Sequence, residues 1–189
     1  FLLIPQFTVL SLASALEPLR IANRYIDQAY RWQILSADGR PVPDDNGILI
    51  SPDASIAEID ELGTLLICAD QRPEEQVGPA LRGWLRRLQQ AGTQLVSIDA
   101  AAFVLARAGL LDAHPVTMHW EVSPAFSSRY PDVQVVNTLF EMGEGPISCA
   151  GGTAVLDMML HLIETEHGEA VSQRVAEHCI RERHRRGSD

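Results

Sequence analysis

Short continuous apolar runs alternate along the chain with longer segments in which apolar residues recur every three or four positions. The continuous runs are typical of strands in a sheet covered on both faces, and the spaced segments are typical of amphipathic helices. The pattern predicts strands at 1–4, 32–36, 64–68, 94–98, 133–136 and 147–149. It predicts helices at 9–29, with Pro18 at a kink or a fresh first turn, and at 79–91, 100–108, 153–167 and 169–183.

Two glycine turns bracket a small predicted hairpin, with Val42 on one arm and residues 48–50 on the other. Elsewhere strands and helices alternate, an order that gives parallel strands with crossover helices on both faces. We therefore predict an α/β three-layer sandwich with a mostly parallel central sheet. A chain of 189 residues is long enough for one domain, predicted at 1–184, and the arginine-rich end at 185–189 is predicted to start a linker.

Composition narrows the possible functions. The net charge is −10, and such an acidic surface repels phosphate backbones, so direct nucleic-acid binding by these residues is not expected. The chain has no apolar run of about 18 residues and no signal-peptide pattern, and its three cysteines lack CxxC spacing, which together predict a reducing cytoplasm. Without HxH, HExxH or GxGxxG motifs, and without any lysine for a Walker A loop, no metal or cofactor is predicted.

Two strand-to-helix turns are candidate sites, because ligands of a doubly wound sheet bind outside the carboxyl ends of its strands. At the first turn stands Asp99, where an enzyme would carry a Cys or Ser nucleophile; the carboxylate can instead cap the next helix. At the second stands Cys149, where a helix N-terminus lowers a thiol pKa, although buried cysteines also serve as small hydrophobic residues. A third candidate is His119, near the end of a predicted element.

Three separated motifs resemble one known group of proteins. They are 103–112 (FVLARAGLLD), 117–121 (TMHWE) and 149–157 (CAGGTAVLD), and the opening stretches 3–7 and 17–23 fit the same group. The chain resembles the amino-terminal sensor domain of AraC-family transcriptional regulators, in the branch that is similar to PfpI/ThiJ proteins and class I glutamine amidotransferases. The resemblance covers essentially the whole chain and implies a flavodoxin-like fold.

In the enzymatic relatives a cysteine occupies the elbow, a glutamate on the first helix contacts it, and a histidine follows. The resemblance places Asp99 at the cysteine, Glu17 at the glutamate and His119 at the histidine. Because a carboxylate cannot form a thioester, it implies a pocket without catalysis. The pocket residues expected on this basis are Glu17, Asp99, Ala100, Phe103, His119, Trp120, Cys149, Gly151 and Gly152.

The resemblance implies an effector-binding and dimerisation domain that senses a small metabolite, with DNA contacted by a carboxy-terminal helix-turn-helix domain. Similar regulators govern catabolism of carnitine, betaine and arginine, and two adjacent carboxylates suit such an amine, with Trp120 or Phe103 offering a ring for cation–π contact. A neutral or anionic effector held at helix N-termini is the alternative.

A homodimer is expected, with one possible contact through the final helix (Val171, Val175, Cys179), which equally suits packing within the domain. Two other functions stay open: a PfpI-type hydrolase, glyoxalase or deglycase using Cys149, and a dimerisation domain without effector.

Overall fold

A computed structural model describes residues 1–70, 72–111, 114–143, 145–181 and 185–188. Parts of four predictions lie outside the described residues: Asp112 of the motif 103–112, residues 182–183 of the last helix, the domain boundary at 184, and Asp189 of the tail. No helix in the described part of the chain is long and apolar enough to cross a membrane.

The central sheet has seven strands in the order β5-β2-β1-β6-β7-β9-β8, and every neighbouring pair is parallel except β8 and β9. The remaining two strands, β3 and β4, form the predicted antiparallel hairpin. The mostly parallel sheet predicted from the alternation of elements is thereby confirmed. The bounds are β1 (Leu2–Leu3), β2 (Leu35–Ser36), β3 (Val42–Pro43), β4 (Leu49–Ile50), β5 (Ala54–Ser55), β6 (Thr64–Ala69), β7 (Gln94–Asp99), β8 (Phe140–Glu141) and β9 (Ile147–Cys149).

Six α-helices and two 3₁₀ turns are present in the described residues, and they cover both faces of the sheet. The helices are α1 (Val9–Ala22), α2 (Pro79–Gln90), α3 (Ala102–Arg107), α4 (Ser123–Arg129), α5 (Ala154–His167) and α6 (Glu169–His178), and the 3₁₀ turns are Ile56–Glu58 and Pro73–Gln76. The apolar sides of α2, α3 and α4 fill one face, while α1 and α5 fill the other. Helix α6 packs outside, on α1 and α5.

Four predicted elements are wrong in extent. Of the strand predicted at 32–36, only Leu35–Ser36 is a strand. Helix α1 ends at Ala22 and does not run to 29, because the side-chain amide of Asn23 closes a loop with the backbone of Tyr30. Asn23 Nδ2 donates to Tyr30 O, and the Tyr30 N–H donates to Asn23 Oδ1, both at 2.8 Å. The predicted strand at 133–136 has one isolated pairing, Val116 with Val135. Helix α6 ends at His178, well before 183, because the chain turns at Ile180 with a φ of +54°.

The apolar stripe of α6 serves the domain itself. Val175 is fully buried against Ile21, Leu160 and Ile163, and Val171 and Cys179 pack beside it. The stripe therefore packs within the domain, which is one of the two roles predicted for it. Val171 and Cys179 are only half-buried, and a dimer contact through them stays a prediction.

The strand order reverses between β1 and β6: the chain runs outward through β2 and β5, then crosses back to add β6, β7 and β9 on the other side. Crevices form at such a reversal, outside the carboxyl ends of the strands. The carboxyl ends of β6 and β7 meet the first turn of α1 there. Asp70, Asp99 and the start of α1 therefore form the candidate site.

Candidate functional site

Asp99 is the last residue of β7 and stands at the apex of a strand–turn–helix elbow that leads into α3. Its φ is +58°, in the left-handed region that few residues other than glycine, asparagine and aspartate enter. Strain of this kind concentrates at functional sites, where the surrounding structure holds it in place. The elbow therefore has the backbone geometry of a nucleophile elbow, with a carboxylate in place of a Cys or Ser.

The Asp99 carboxylate does not cap its own helix. Helix α3 starts after Ala101 and has no side-chain cap, so the interpretation of Asp99 as a helix cap is wrong. Instead the Ser11 hydroxyl donates a hydrogen bond of 2.6 Å to Asp99 Oδ2, and the Gly152 N–H donates one of 2.9 Å to Ser11 Oγ. The carboxylate is thus tied to the first helix and to the turn that follows β9.

Gly151 lies against the carboxylate so closely that no other residue fits. Its φ is +96°, and a Cβ built at this position would come within 1.4 Å of Asp99 Oδ1. Gly152 also has a positive φ, of +56°, but a Cβ there would meet nothing within 4 Å. Glycine is therefore required at the two positions for different reasons. Position 151 has no space for a Cβ and has a positive φ, whereas position 152 has only the positive φ.

Burial controls the electrostatics of the elbow. Asp99 is only 5% exposed, and its desolvation raises the pKa of the carboxyl to about 6, against 3.8 in water. The hydrogen bond from Ser11 lowers this pKa, as do the charge of His119 and the nearby Gly152 N–H, and the charge of Asp70 raises it further. At neutral pH the elbow holds a buried negative charge that its surroundings only partly compensate.

This raised pKa predicts the pH dependence of stability. The folded chain binds the Asp99 proton more tightly than the unfolded chain does, so the contribution of Asp99 favours folding below pH 3.8 and is lost as the pH rises through about 6. Asp99→Asn, which also tolerates a positive φ, is expected to be more stable than the wild type by about 2 kcal/mol at pH 7.5. The advantage is expected to shrink toward zero at pH 4.

Urea unfolding at both pH values measures the difference. The matched control is Asp60→Asn, an exposed carboxylate at the amino end of β6, which is expected to show no such pH-dependent gain. An Asp99→Asn variant whose advantage stays constant between pH 4 and pH 7.5 would show that the elbow carboxyl titrates normally.

Asp70 and His119 complete the polar surroundings of the elbow. Asp70 directly follows β6, whose last residue Ala69 pairs with Asp99, and it accepts a hydrogen bond of 3.2 Å from Thr8 Oγ1. Desolvation raises the pKa of Asp70 as well. The half-buried His119 acts electrostatically on both carboxyls, and the exposed Trp120 ring lies 5.6 Å from its imidazole.

Glu17 does not reach the elbow. Its carboxylate accepts a hydrogen bond of 2.6 Å from Arg20 Nε on the exposed side of α1, so its expected adjacency to Asp99 is wrong. Ser11 faces the elbow, and Glu17 lies six residues later in the same helix. At 100° and about 1.5 Å per residue, Glu17 is about 240° around the helix and about 9 Å along it from Ser11. The helix therefore presents a hydroxyl to Asp99 where a second carboxylate was expected.

Three other expected pocket residues belong to the core. Phe103 packs edge-on against Phe126 with ring centroids 4.9 Å apart, on the opposite face of the sheet from α1, so it offers no ring to a ligand. The fully buried Ala100 gives its N–H to Ala69 O at 2.9 Å, which removes a donor that an anion would need. Cys149 is fully buried, and desolvation raises the pKa of its thiol to about 12.

Sequence reasoning missed Ser11 and Asp70. A signal existed for each. Ser11 is a lone polar residue in the buried row of α1 that continues through Ala15, and Asp70 follows β6 as directly as Asp99 ends β7. Neighbouring parallel strands bring their carboxyl ends to one edge, so the two aspartates were a predictable pair.

A cavity of about 900 Å³ opens at the other end of the sheet, lined by the starts of β6, β7 and β9, by α1 and α5, and by the 29–33 loop. Gln94 lines this cavity and Asp99 ends the same strand, five residues and about 16 Å away. The cavity and the elbow are therefore separate features. The strained Asp99 and the closely packed Gly151 lie at the carboxyl edge of the sheet.

The fold and the elbow together define an α/β domain with a mostly parallel sheet and a buried carboxylate at a strained strand–turn–helix elbow. The DJ-1/PfpI family model matches residues 6–165, and the chain belongs to this family. Among solved structures, it is similar to an AraC family transcriptional regulator from Pseudomonas putida, at 27% identity and a TM-score of 0.86 over 95% of this chain and 97% of that one. Drosophila melanogaster DJ-1beta shares the fold, with 19% identity and a TM-score of 0.80 over 96% and 97% of the two chains.

Curated relatives point to the same branch. The HTH-type transcriptional regulator CdhR of Pseudomonas aeruginosa is 43% identical over 95% of this chain and 54% of its own length. The HTH-type transcriptional regulator GbdR of the same species is 38% identical over 100% of this chain and 52% of its own. The resemblance to AraC-family sensor domains is thus confirmed, and the chain spans about half the length of the curated relatives it matches.

Proposed function

We propose that this chain is the effector-sensing domain of a transcription regulator and performs no catalysis. The observation that carries the proposal is Asp99 at the apex of the elbow, buried and held by Ser11 in a strained backbone conformation. A carboxylate there keeps the position and the enclosure of a nucleophile but cannot form the thioester of the enzymatic relatives. The names of CdhR and GbdR as transcriptional regulators support the same function.

The effector that best fits the elbow is a small cation, such as a metabolite carrying a primary or quaternary amine. The charge of Asp70 raises the pKa of Asp99, and a positive group placed between the two carboxylates would relieve this repulsion. An anion would meet two carboxylates and would lack the N–H of Ala100, which is already bonded. The exposed ring of Trp120, beside His119, offers a surface for cation–π contact worth about 0.5–2 kcal/mol.

Hydrolase, glyoxalase or deglycase activity through Cys149 is disfavoured by the burial of that thiol and its raised pKa. We expect purified protein to show no turnover above background on a panel of amide, methylglyoxal and glycated-amine substrates. Cys149→Ser is the matched variant. Measurable turnover that disappears in this variant would show that the chain is an enzyme and would overturn the proposal.

DNA contact is assigned to a carboxy-terminal helix-turn-helix domain, reached through a linker that follows residues 185–188, which themselves pack on this domain. The acidic charge of this chain and the HTH-type relatives of about twice its length support this division of labour. We also propose a cytoplasmic location, where such a protein meets its DNA. We propose a homodimer that brings two such DNA-binding domains together. Light scattering should give twice the mass of the 20.8 kDa chain, and a mass of one chain at micromolar concentration would contradict it.

A further inference from the structure

A fully buried carboxylate on α5 is held by two arginines from the end of the chain. Asp157 is 0% exposed, and Arg181 Nη2 donates to both of its oxygens at 2.8 Å. Arg185 adds its backbone N–H at 2.7 Å and its Nε and Nη2 at 3.0 and 2.9 Å. Removing the partners of a buried charge is strongly unfavourable, so the carboxylate holds both arginines in place.

The same end of the chain is also fixed beyond Arg185. The Leu139 N–H donates a hydrogen bond of 2.7 Å to Gly187 O, just before β8. Gly187 packs tightly there, since a Cβ built on it would come within 2.5 Å of Phe140 O. Residues 185–188, from which a following domain would continue, are therefore docked on the sheet edge and on α5.

One short turn touches both the elbow and this docked end. Gly151 packs against the Asp99 carboxylate, and Gly152 donates its N–H to Ser11 Oγ. The next residue, Thr153, accepts a hydrogen bond of 3.3 Å from Arg185 Nη2, and Asp157 lies one helical turn further on. Three consecutive residues thus connect the elbow carboxylate on one side with the arginine clasp on the other.

We propose that the turn 151–153 couples the elbow to the docking of residues 185–188, so that a ligand accepted at Asp99 changes how firmly the end of the domain is held. This inference rests on the proposed sensor function and adds the step by which ligand binding at the elbow is passed to the end of the domain. A ligand that draws Asp99 away from Ser11 or displaces Gly151 moves the residue that precedes Thr153. The clasp at Asp157 then changes its geometry, and the change reaches the chain that leaves the domain. By reciprocity, the state of the clasp also alters the elbow.

Amide hydrogen exchange followed by NMR tests the clasp. The amides of Arg185 and Leu139 report docking, and the amide of Leu66 in the central strand β6 reports global opening. Asp157→Asn is expected to accelerate exchange of the two reporters by about tenfold or more beyond any change at Leu66. If this variant fails to fold, Arg185→Gln leaves the Arg181 pair in place and is expected to accelerate Leu139 in the same way.

The coupling itself is tested from the elbow, without touching the clasp. Ser11→Ala removes the hydroxyl that joins Asp99 to Gly152. Hydrogen exchange at the Arg185 and Leu139 amides is expected to become about threefold faster, beyond any change in the exchange rate at Leu66. Ser14→Ala, on the same helix, is the control and is expected to leave the ratio unchanged. Asp99→Asn gives a second elbow variant, expected to shift the same two amides.

Two results would overturn the inference: docking that is unaffected by Asp157→Asn and Arg185→Gln, or docking that responds to them but not to either elbow variant. Neither experiment includes a ligand. Failure here therefore leaves the effector-binding proposal standing, and failure of the effector to bind leaves this coupling measurable.

Discussion

Gly151→Ala is expected to be among the most damaging single substitutions in this chain. The new methyl group would lie 1.4 Å from Asp99 Oδ1, and the φ of +96° is unfavourable for any residue with a Cβ. Backbone strain and overpacking together predict a loss of about 4 kcal/mol in the free energy of unfolding, enough to unfold a marginal domain. Urea denaturation followed by circular dichroism measures it.

The neighbouring glycine provides a matched control. Gly152→Ala meets open space and carries only the cost of its positive φ, so about 1 kcal/mol is expected. The double variant Gly151→Ala with Asp99→Gly removes the clashing carboxylate and is expected to recover part of the lost stability, giving a coupling energy of about 2 kcal/mol. Equal losses at the two glycines, or no recovery, would show that the close packing of Gly151 on Asp99 is not what the structure indicates.

The second large effect concerns binding. Asp99→Asn is expected to weaken binding of a cationic effector by about 100-fold, because the variant loses a buried charge that faces the ligand while keeping its shape. The same variant is expected to be more stable than the wild type at neutral pH, so weaker binding cannot come from unfolding. Asp70→Asn, whose carboxylate is only half-buried, is expected to cost about fivefold.

Glu17→Gln separates the structure from the sequence-based expectation. If the family pattern placed this glutamate correctly, its loss would weaken binding as Asp99→Asn does. Because Glu17 pairs with Arg20 on the exposed face of α1, no measurable change in affinity is expected. A large effect of Glu17→Gln would mean that the effector binds on the outer side of α1.

Much of the fold could be predicted because long apolar runs and strong periodicity leave few alternatives. The pattern predicts β6, β7 and α2 to within one residue of their observed bounds, since each must bury a continuous face. It fails where tertiary contacts decide. The Asn23–Tyr30 hydrogen bonds stop α1 early, and short edge strands such as β8 carry too few residues to show a period.

The candidate site was predictable only in part, for a geometric reason. Asp99 directly ends a strand, so its position at the elbow follows from the pattern alone. Which residue of α1 faces that elbow depends on the rotation of the helix, and a likeness of motifs selected Glu17 where the structure has Ser11. Phe103 shows the same limit, because the short α3 turns its ring to the opposite face of the sheet.

Calorimetric titration of the wild-type chain at pH 7.5 tests most directly whether the elbow binds a cation. The ligands are a panel of primary and quaternary amines and, for comparison, keto acids of similar size. We expect heat of binding for one or more amines, no binding of the keto acids, and loss of the amine signal in Asp99→Asn but not in Glu17→Gln. Preference for the keto acids, or amine binding that Asp99→Asn leaves unchanged, would contradict the assignment of the elbow as a cation-binding effector site.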